Sequence, residues 1–433
     1  MMMTNKYTTE HYDHLDEVVH KQVMDNGLEV FIIDKKGYNK KFVTYTAKYG
    51  SVDNHFKANG EVHHVPDGIA HFLEHKMFDK EAGDVFNKFS EMGASANAFT
   101  SIDRTSYLFS TTENFFENLD LLMNMVEIPY FTKEKVDKEI GIINEEIKMY
   151  QDNPGYRLYH ETLNAMYENS PVAIDIAGTL ESISNITADY LYLCHKTFYA
   201  PDNMVMILAG DFEIDETFNY IEAHQNNRPD YEPSNIERYF PEEPYAVKTS
   251  KKVMELAVST PKVMLGFKAL PDDSDNETRE IRDSAMLFAL DMVFGEQSPY
   301  YEDLLDRGII DDSFNFAYQE ETLARHTLMA AETDNPETFT AEITRIIDEV
   351  KEKDFFTEKR LQSQKRELMG DYLTSLNSPE YIANQYTKYY FDGYDLYNVP
   401  KVIDSITLED VKRYFNSSID TKNMVEVIVK AYE

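Results

Sequence analysis

The chain has 433 residues, 42% of them hydrophobic, and a formal charge of −36, which is ample material for more than one apolar core. That charge speaks against nucleic acid as a partner, because phosphate binding needs a basic footprint, and no apolar run reaches the roughly 18 residues that cross a membrane. The single cysteine, Cys194, cannot form an intramolecular disulfide and the polar stretch Met1 to Asp25 has no apolar signal core, so the expected location is the cytoplasm.

In chain order, Asn26-Gly27 is a turn signal ahead of two predicted strands, Leu28–Ile33 and Phe42–Val52. Then comes His71-Phe72-Leu73-Glu74-His75, two imidazoles one helical turn apart with a carboxylate just before the second. On a helical wheel, Ile69, Phe72, Leu73 and Met77 fall on one side and His71, Glu74 and His75 on the other, so both rings can reach one ion. H-x-x-E-H inverts the commoner H-E-x-x-H order and points to a hydrolytic zinc centre. A pair of histidines on ordinary solvated surface is the alternative, and a third ligand decides between them.

Ser95 to Thr100 is a strand candidate rich in small residues, and Phe115, Phe116, Leu119, Leu122, Met123 and Val126 follow helical spacing as a core stripe. The next helix is predicted over Thr132 to Met149, with Thr132 as N-cap and Val136, Ile140, Ile143 and Ile147 as its apolar stripe. Glu139 and Glu146, seven residues apart, share one face beside that stripe, whereas Glu145 points away from it. Glu146 can therefore reach a semi-buried cleft and Glu145 faces solvent. A boundary glutamate in a local salt bridge is the plainer reading of Glu146.

The two halves align at a fixed offset of 220 residues, which carries Ile183, Ile186 and Thr187 onto Ile403, Ile406 and Thr407, and Asn203-Met204-Val205 onto Asn423-Met424-Val425. Each copy reads as helix, loop and strand, so a duplicated α+β domain is expected. Residues 225 to 250 gather prolines and charges without a period, which places a linker at 231–250 between domains 1–230 and 251–433.

Three segments, G-I-A-H-F-L-E-H at Gly68 to His75, G-A-S-A-N-A-F-T at Gly93 to Thr100 and E-I-G-I-I-N-E-E-I at Glu139 to Ile147, together resemble the insulinase or pitrilysin family of zinc peptidases, which includes the mitochondrial processing peptidases. Within that family the chain looks closest to a short bacterial branch. The resemblance implies an α+β fold of two homologous α/β-sandwich domains, the processing-peptidase or LuxS-metalloprotease arrangement, with antiparallel-rich mixed sheets and helices packed on one face. The first domain would bind metal and the second would not. His71, His75 and Glu146 would hold one zinc ion, Glu74 would be the base, and Glu139 a supporting member of the catalytic set. An extended peptide substrate would pair with the strand edge at Asn97, Ala98 and Phe99. The same nitrogen and oxygen ligands also accept manganese or cobalt.

One departure stands out. Active relatives usually supply an Arg and a Tyr, seven residues apart in the second domain, to stabilise the oxyanion, and the matching places within Ser298 to Phe314 hold Leu305 and Asp312, with Arg307 out of register. The resemblance to the short branch implies a remedy, a heterodimer with a zinc-less paralogue that keeps the Arg and Tyr, a homodimer being the simpler assembly. The expected function is thus zinc metalloendopeptidase, against the competing reading of a non-proteolytic scaffold or maturation-factor subunit.

Overall fold

Runs of Val, Ile, Phe and Tyr make the inner strands of a seven-stranded sheet. In the computed structural model, which describes residues 6–432 apart from 82, 229–232, 234, 273 and 322, these strands are β1 (Thr8–Tyr12), β2 (Glu17–Val23), β3 (Glu29–Asp34), β4 (Lys41–Ala47), β5 (Ser95–Thr100), β6 (Thr105–Thr111) and β7 (Met204–Gly210). Their order is β1-β2-β3-β7-β4-β6-β5, and every pairing is antiparallel except β3 with β7. β7 is buried along its whole length, as a strand covered on both faces must be. The strand expected over Phe42–Val52 stops at Ala47, because Tyr49 N bonds back to Ala47 O and Asp53 N to Gly50 O, closing a turn.

A second sheet holds β8 (Lys251–Glu255), β9 (Lys262–Ala269), β10 (Asn315–Glu321), β11 (Ala324–Glu332) and β12 (Met424–Lys430) in the order β8-β12-β9-β11-β10, with only β8 and β12 parallel. The 220-residue offset carries the first residue of β5 onto that of β10 and β7 onto β12. It also carries one helix cap onto another: Thr187 Oγ1 accepts from Tyr190 N, and Thr407 Oγ1 from Asp410 N. The duplicated α+β fold expected from the sequence is what the chain adopts.

Its two units are nonetheless not the contiguous blocks 1–230 and 251–433 expected from composition. One comprises residues through Ile147, Asp175–Tyr239 and Leu373–Tyr397, and the other Lys148–Ile174, Phe240–Tyr372 and the chain from Asn398 onward. Two helices cause the interleaving. The helix Pro154–Met166 packs on β9 and β12 in the second unit, so closely to Gly266 of β9 that a Cβ there would overlap Met166 Cε and lie 3.0 Å from Thr162 Cγ2. The helix Pro379–Asp392 packs on β4 and β7 in the first, with the Thr387 and Thr44 hydroxyls 3.1 Å apart. Both helices open with Pro after a capping side chain, Asn153 accepting from Tyr156 N and Ser378 from Tyr381 N. Hydrophobic pattern reveals that such a helix has an apolar face but not which sheet receives it. Within the expected linker, residues 231, 232 and 234 lie outside the described residues, and Ile236–Arg238 forms a short strand against Phe56–Ala58. Among the described residues no helix is long and apolar enough to cross a membrane.

Candidate metal centre

The first-unit helix α1 (Ile69–Met77) starts after Gly68, whose φ of 86° lies in the left-handed region. A Cβ at Gly68 would also run into the Ala177 carbonyl. α1 carries His71, Glu74 and His75, the two imidazole centroids lying 4.6 Å apart. Further on, α2 (Phe115–Glu127) buries Leu119, Leu122, Met123 and Val126 of the expected stripe and packs against β4 and β6, while Phe115 and Phe116 at its start are half-buried. α3 (Lys133–Gln151) follows, its first turn capped by Thr132 Oγ1 accepting from Lys135 N at 3.3 Å. Val136, Ile143 and Ile147 of α3 are buried, Glu146 is half-buried and Glu145 is exposed, as the helical wheel required.

Ligand atoms of His71, His75 and Glu146 all lie within 4.8 Å of one another. His71 Nε2 is 3.9 Å from Glu146 Oε1, and His75 Nε2 is 3.7 Å from Glu146 Oε2. Ligands held tetrahedrally at about 2.1 Å from zinc sit about 3.4 Å from each other, and the two histidine–glutamate separations are close to that spacing. Burial and the neighbouring His75 push the His71 pKa down to about 4, which leaves this ring neutral and ready to donate a lone pair. Burial also lowers that of His75, but a hydrogen bond to Glu139 and the charges of Glu74, Glu139 and Glu146 outweigh it and hold His75 above the usual range. The donor set and its geometry fit a divalent ion with a nitrogen preference, zinc foremost.

Behind the pair lies a chain of charges. His75 Nδ1 donates to Glu139 Oε1 at 3.1 Å, Lys76 Nζ donates to Glu139 Oε2 at 3.3 Å and to Asp79 Oδ2 at 2.6 Å, and Lys135 of α3 closes the chain on Asp79. Burial opposes the charge on Glu139, yet His75 and Lys76 outweigh it and keep its carboxyl below the usual range. With Nδ1 bound to Glu139, the Nε2 of His75 is the ring nitrogen that faces Glu146. Lys76 escaped the sequence reading, since a helical lysine reads as solvated, but it is only 1% exposed. Its signal was the acid three residues on, Asp79. α1 is therefore not a helix with one dry face and one wet face: Glu74 and Lys76 are buried together with Phe72 and Leu73.

Glu74 Oε2 accepts from Thr100 Oγ1 at 2.8 Å, a partner the sequence did not announce because the two are 26 residues apart on different elements. Burial raises the Glu74 pKa despite that bond. Thr100 ends β5, the edge of the sheet, which among the described residues pairs on one side only, with β6. Asn97, Ala98 and Phe99 all lie on this edge strand, and Asn97 Oδ1 accepts from the Ala98 N–H at 2.9 Å. α1 packs directly against β5, so the edge and the histidine pair belong to one local assembly.

In the second unit, Leu305 lies on the helix Pro299–Asp306 and is 41% exposed. Arg307 is bound at 2.8 Å to Asp303 and at 3.0 Å to Glu342, and Asp312 lines an acidic cavity with Asp291 and Glu367. Neither of the two matching places carries a donor suited to an oxyanion.

Residues 60–180 match the family model described as Insulinase (Peptidase family M16), and residues 185–368 match the model described as Peptidase M16 inactive domain. A Bacillus subtilis protein described as an uncharacterized zinc protease, YmfH, is 40% identical over 424 residues, which is 97% of this chain and 99% of that protein. Among solved structures, an M16-like peptidase from Alicyclobacillus acidocaldarius is 34% identical with a TM-score of 0.91, each chain being covered completely. A protease from Helicobacter pylori superimposes with a TM-score of 0.82 over 98% of this chain and 99% of its own, at 20% identity, which shows likeness of fold alone.

Proposed function

The chain belongs to the insulinase family of peptidases, family M16, with YmfH-like proteins among its relatives, and on that premise we propose that it is a zinc-dependent metalloendopeptidase acting on extended peptides or on a peptide or protein precursor. The observation that carries this reading is the convergence of His71, His75 and Glu146 with Glu74 beside them. Nε2 of each histidine and a Glu146 oxygen would hold one zinc ion, and Glu139 keeps His75 in the tautomer this requires. When bound, zinc supplies Lewis acidity, bringing the pKa of water toward about 7 and polarising a carbonyl. Glu74 accepts the proton from the attacking water and returns it to the leaving amine. Its Oε2 is held by Thr100 and its Oε1 has no hydrogen bond among the described residues, so Oε1 is the atom suited to proton transfer. The open edge of β5 at Asn97, Ala98 and Phe99 takes the peptide as an added strand, with backbone bonds that ask little of its side chains.

Leu305 and Asp312 provide no oxyanion donor and Arg307 is committed to two carboxylates, which supports a partner that brings the missing Arg and Tyr, a zinc-less paralogue in a cytoplasmic heterodimer. A second reading, a non-proteolytic scaffold or maturation-factor subunit, draws on the same absence and on the match to an inactive-domain model. Glu74 separates the two, since a scaffold needs no base. In a quenched-fluorescent peptide assay with and without the paralogue, Glu74→Gln keeps its zinc and loses turnover. Turnover equal to wild type rejects Glu74 as base, and a wild type that never turns over with zinc and partner present favours the scaffold.

A further inference from the structure

Glu74 sits 9% exposed with a single hydrogen bond among the described residues, the one from Thr100. Its polar neighbours do not compete for it. The buried phenols of Tyr107 and Tyr199 bond to each other at 2.7 Å, and the remaining ionisable neighbours are His75, which attracts it, and Glu146, which repels it. A carboxylate placed this way has two usable oxygens and a free χ3 torsion, so what decides which oxygen faces the reacting atoms is the group holding the other one.

Thr100 is built to be that group. It is β-branched and hence stiff at χ1, and it is the last residue of β5, paired with Thr105 of β6. The backbone beyond it is clamped: Ser101 N bonds to Arg104 O at 2.8 Å, Ser51 N to Ser101 O at 3.1 Å and Val52 N to Ile102 O at 3.1 Å. Gly50 lets the two loops approach so closely that a Cβ there would overlap the Ile102 carbonyl and the Asp103 nitrogen. Thr105, opposite Thr100, has its own hydroxyl occupied by Tyr49 O at 2.8 Å, so it offers no substitute.

We propose that Thr100 is the positioning residue for Glu74: the edge strand that receives the peptide also sets the orientation of the base, so peptide register and proton acceptor are fixed by one rigid element. This rests on the peptidase reading above and adds to it a residue that acts through the base. Loss of the hydroxyl leaves binding intact and misplaces proton transfer, for which a displacement of about 1 Å costs up to about a hundredfold.

The test uses the full zinc-loaded chain in the reconstituted mixture where wild type cleaves a fluorogenic peptide, comparing Thr100→Val, Thr100→Ser and Glu74→Gln. Expected are a kcat for Thr100→Val lower by about tenfold or more, a KM and zinc content near wild type, and recovery of most of kcat in Thr100→Ser. Peptide Kd measured on Glu74→Gln with and without Thr100→Val should agree within twofold. The proposal is overturned if Thr100→Val keeps wild-type kcat, if its loss appears in KM and peptide Kd instead, or if Thr100→Ser is as poor as Thr100→Val. A Glu74→Gln chain that still turns over overturns the underlying peptidase mechanism as well, a result distinct from failure at Thr100 alone.

Discussion

Replacing Glu139 by Ala removes two bonds at once, the 3.1 Å bond from His75 Nδ1 and the 3.3 Å bond from Lys76 Nζ. An acceptor behind a metal-ligating histidine holds the ring in place, and its loss costs about 10- to 100-fold in metal affinity, or about 1.4–2.8 kcal/mol. Stability falls independently of metal. Lys76 is 1% exposed and would keep Asp79 as its one remaining carboxylate, and a charge-assisted hydrogen bond contributes about 1.5–3 kcal/mol. Glu139→Gln restores an acceptor for His75 without the charge for Lys76, so it should recover much of the zinc affinity and less of the stability. Zinc Kd from competition with a chelator and thermal melting with EDTA present read the two effects separately. A zinc Kd for Glu139→Ala within twofold of wild type would show that His75 is oriented by something else.

Acidification should weaken zinc binding with a slope set by one histidine: His75, held above the usual range, must lose its proton to bind, whereas His71 at about 4 is already neutral. Between about pH 5 and the His75 pKa, log Kd should rise by about one per unit of falling pH and flatten above it; a slope of two contradicts the assignment. Gly50→Ala should displace the turn after β5, lowering stability by about 1–3 kcal/mol while zinc content stays unchanged; an unaltered melting temperature refutes the close approach. Backbone N-methylation of a peptide at alternate positions should weaken its binding to Glu74→Gln more than alanine substitution does, as strand addition requires; the reverse ranking speaks against β5 as the receiving edge.

The convergence of His71, His75 and Glu146 was legible because it is written in helical period. His71 and His75 lie one turn apart, and the contrast between Glu145 and Glu146 follows from a 3.6-residue repeat with a buried stripe at Val136, Ile143 and Ile147. The duplication was legible in the same way, from a constant offset. What lay hidden is tertiary. Thr100 meets Glu74 only once β5 packs on α1, and Lys76 is buried where Glu139 of another helix joins its near neighbour Asp79 in pairing with it. The helices Pro154–Met166 and Pro379–Asp392 each advertise an apolar face, but the sheet that receives it is met only through contacts distant in sequence, at Gly266 in one case and Thr44 in the other.

Anomalous diffraction at the zinc edge bears most directly on the central claim. One ion is predicted, within about 2.0–2.2 Å of His71 Nε2, His75 Nε2 and a Glu146 oxygen, with Glu74 outside the ligand set and hydrogen-bonded to Thr100. An ion found elsewhere, or one bound by both rings with the Glu146 oxygens beyond about 3 Å, would contradict the account.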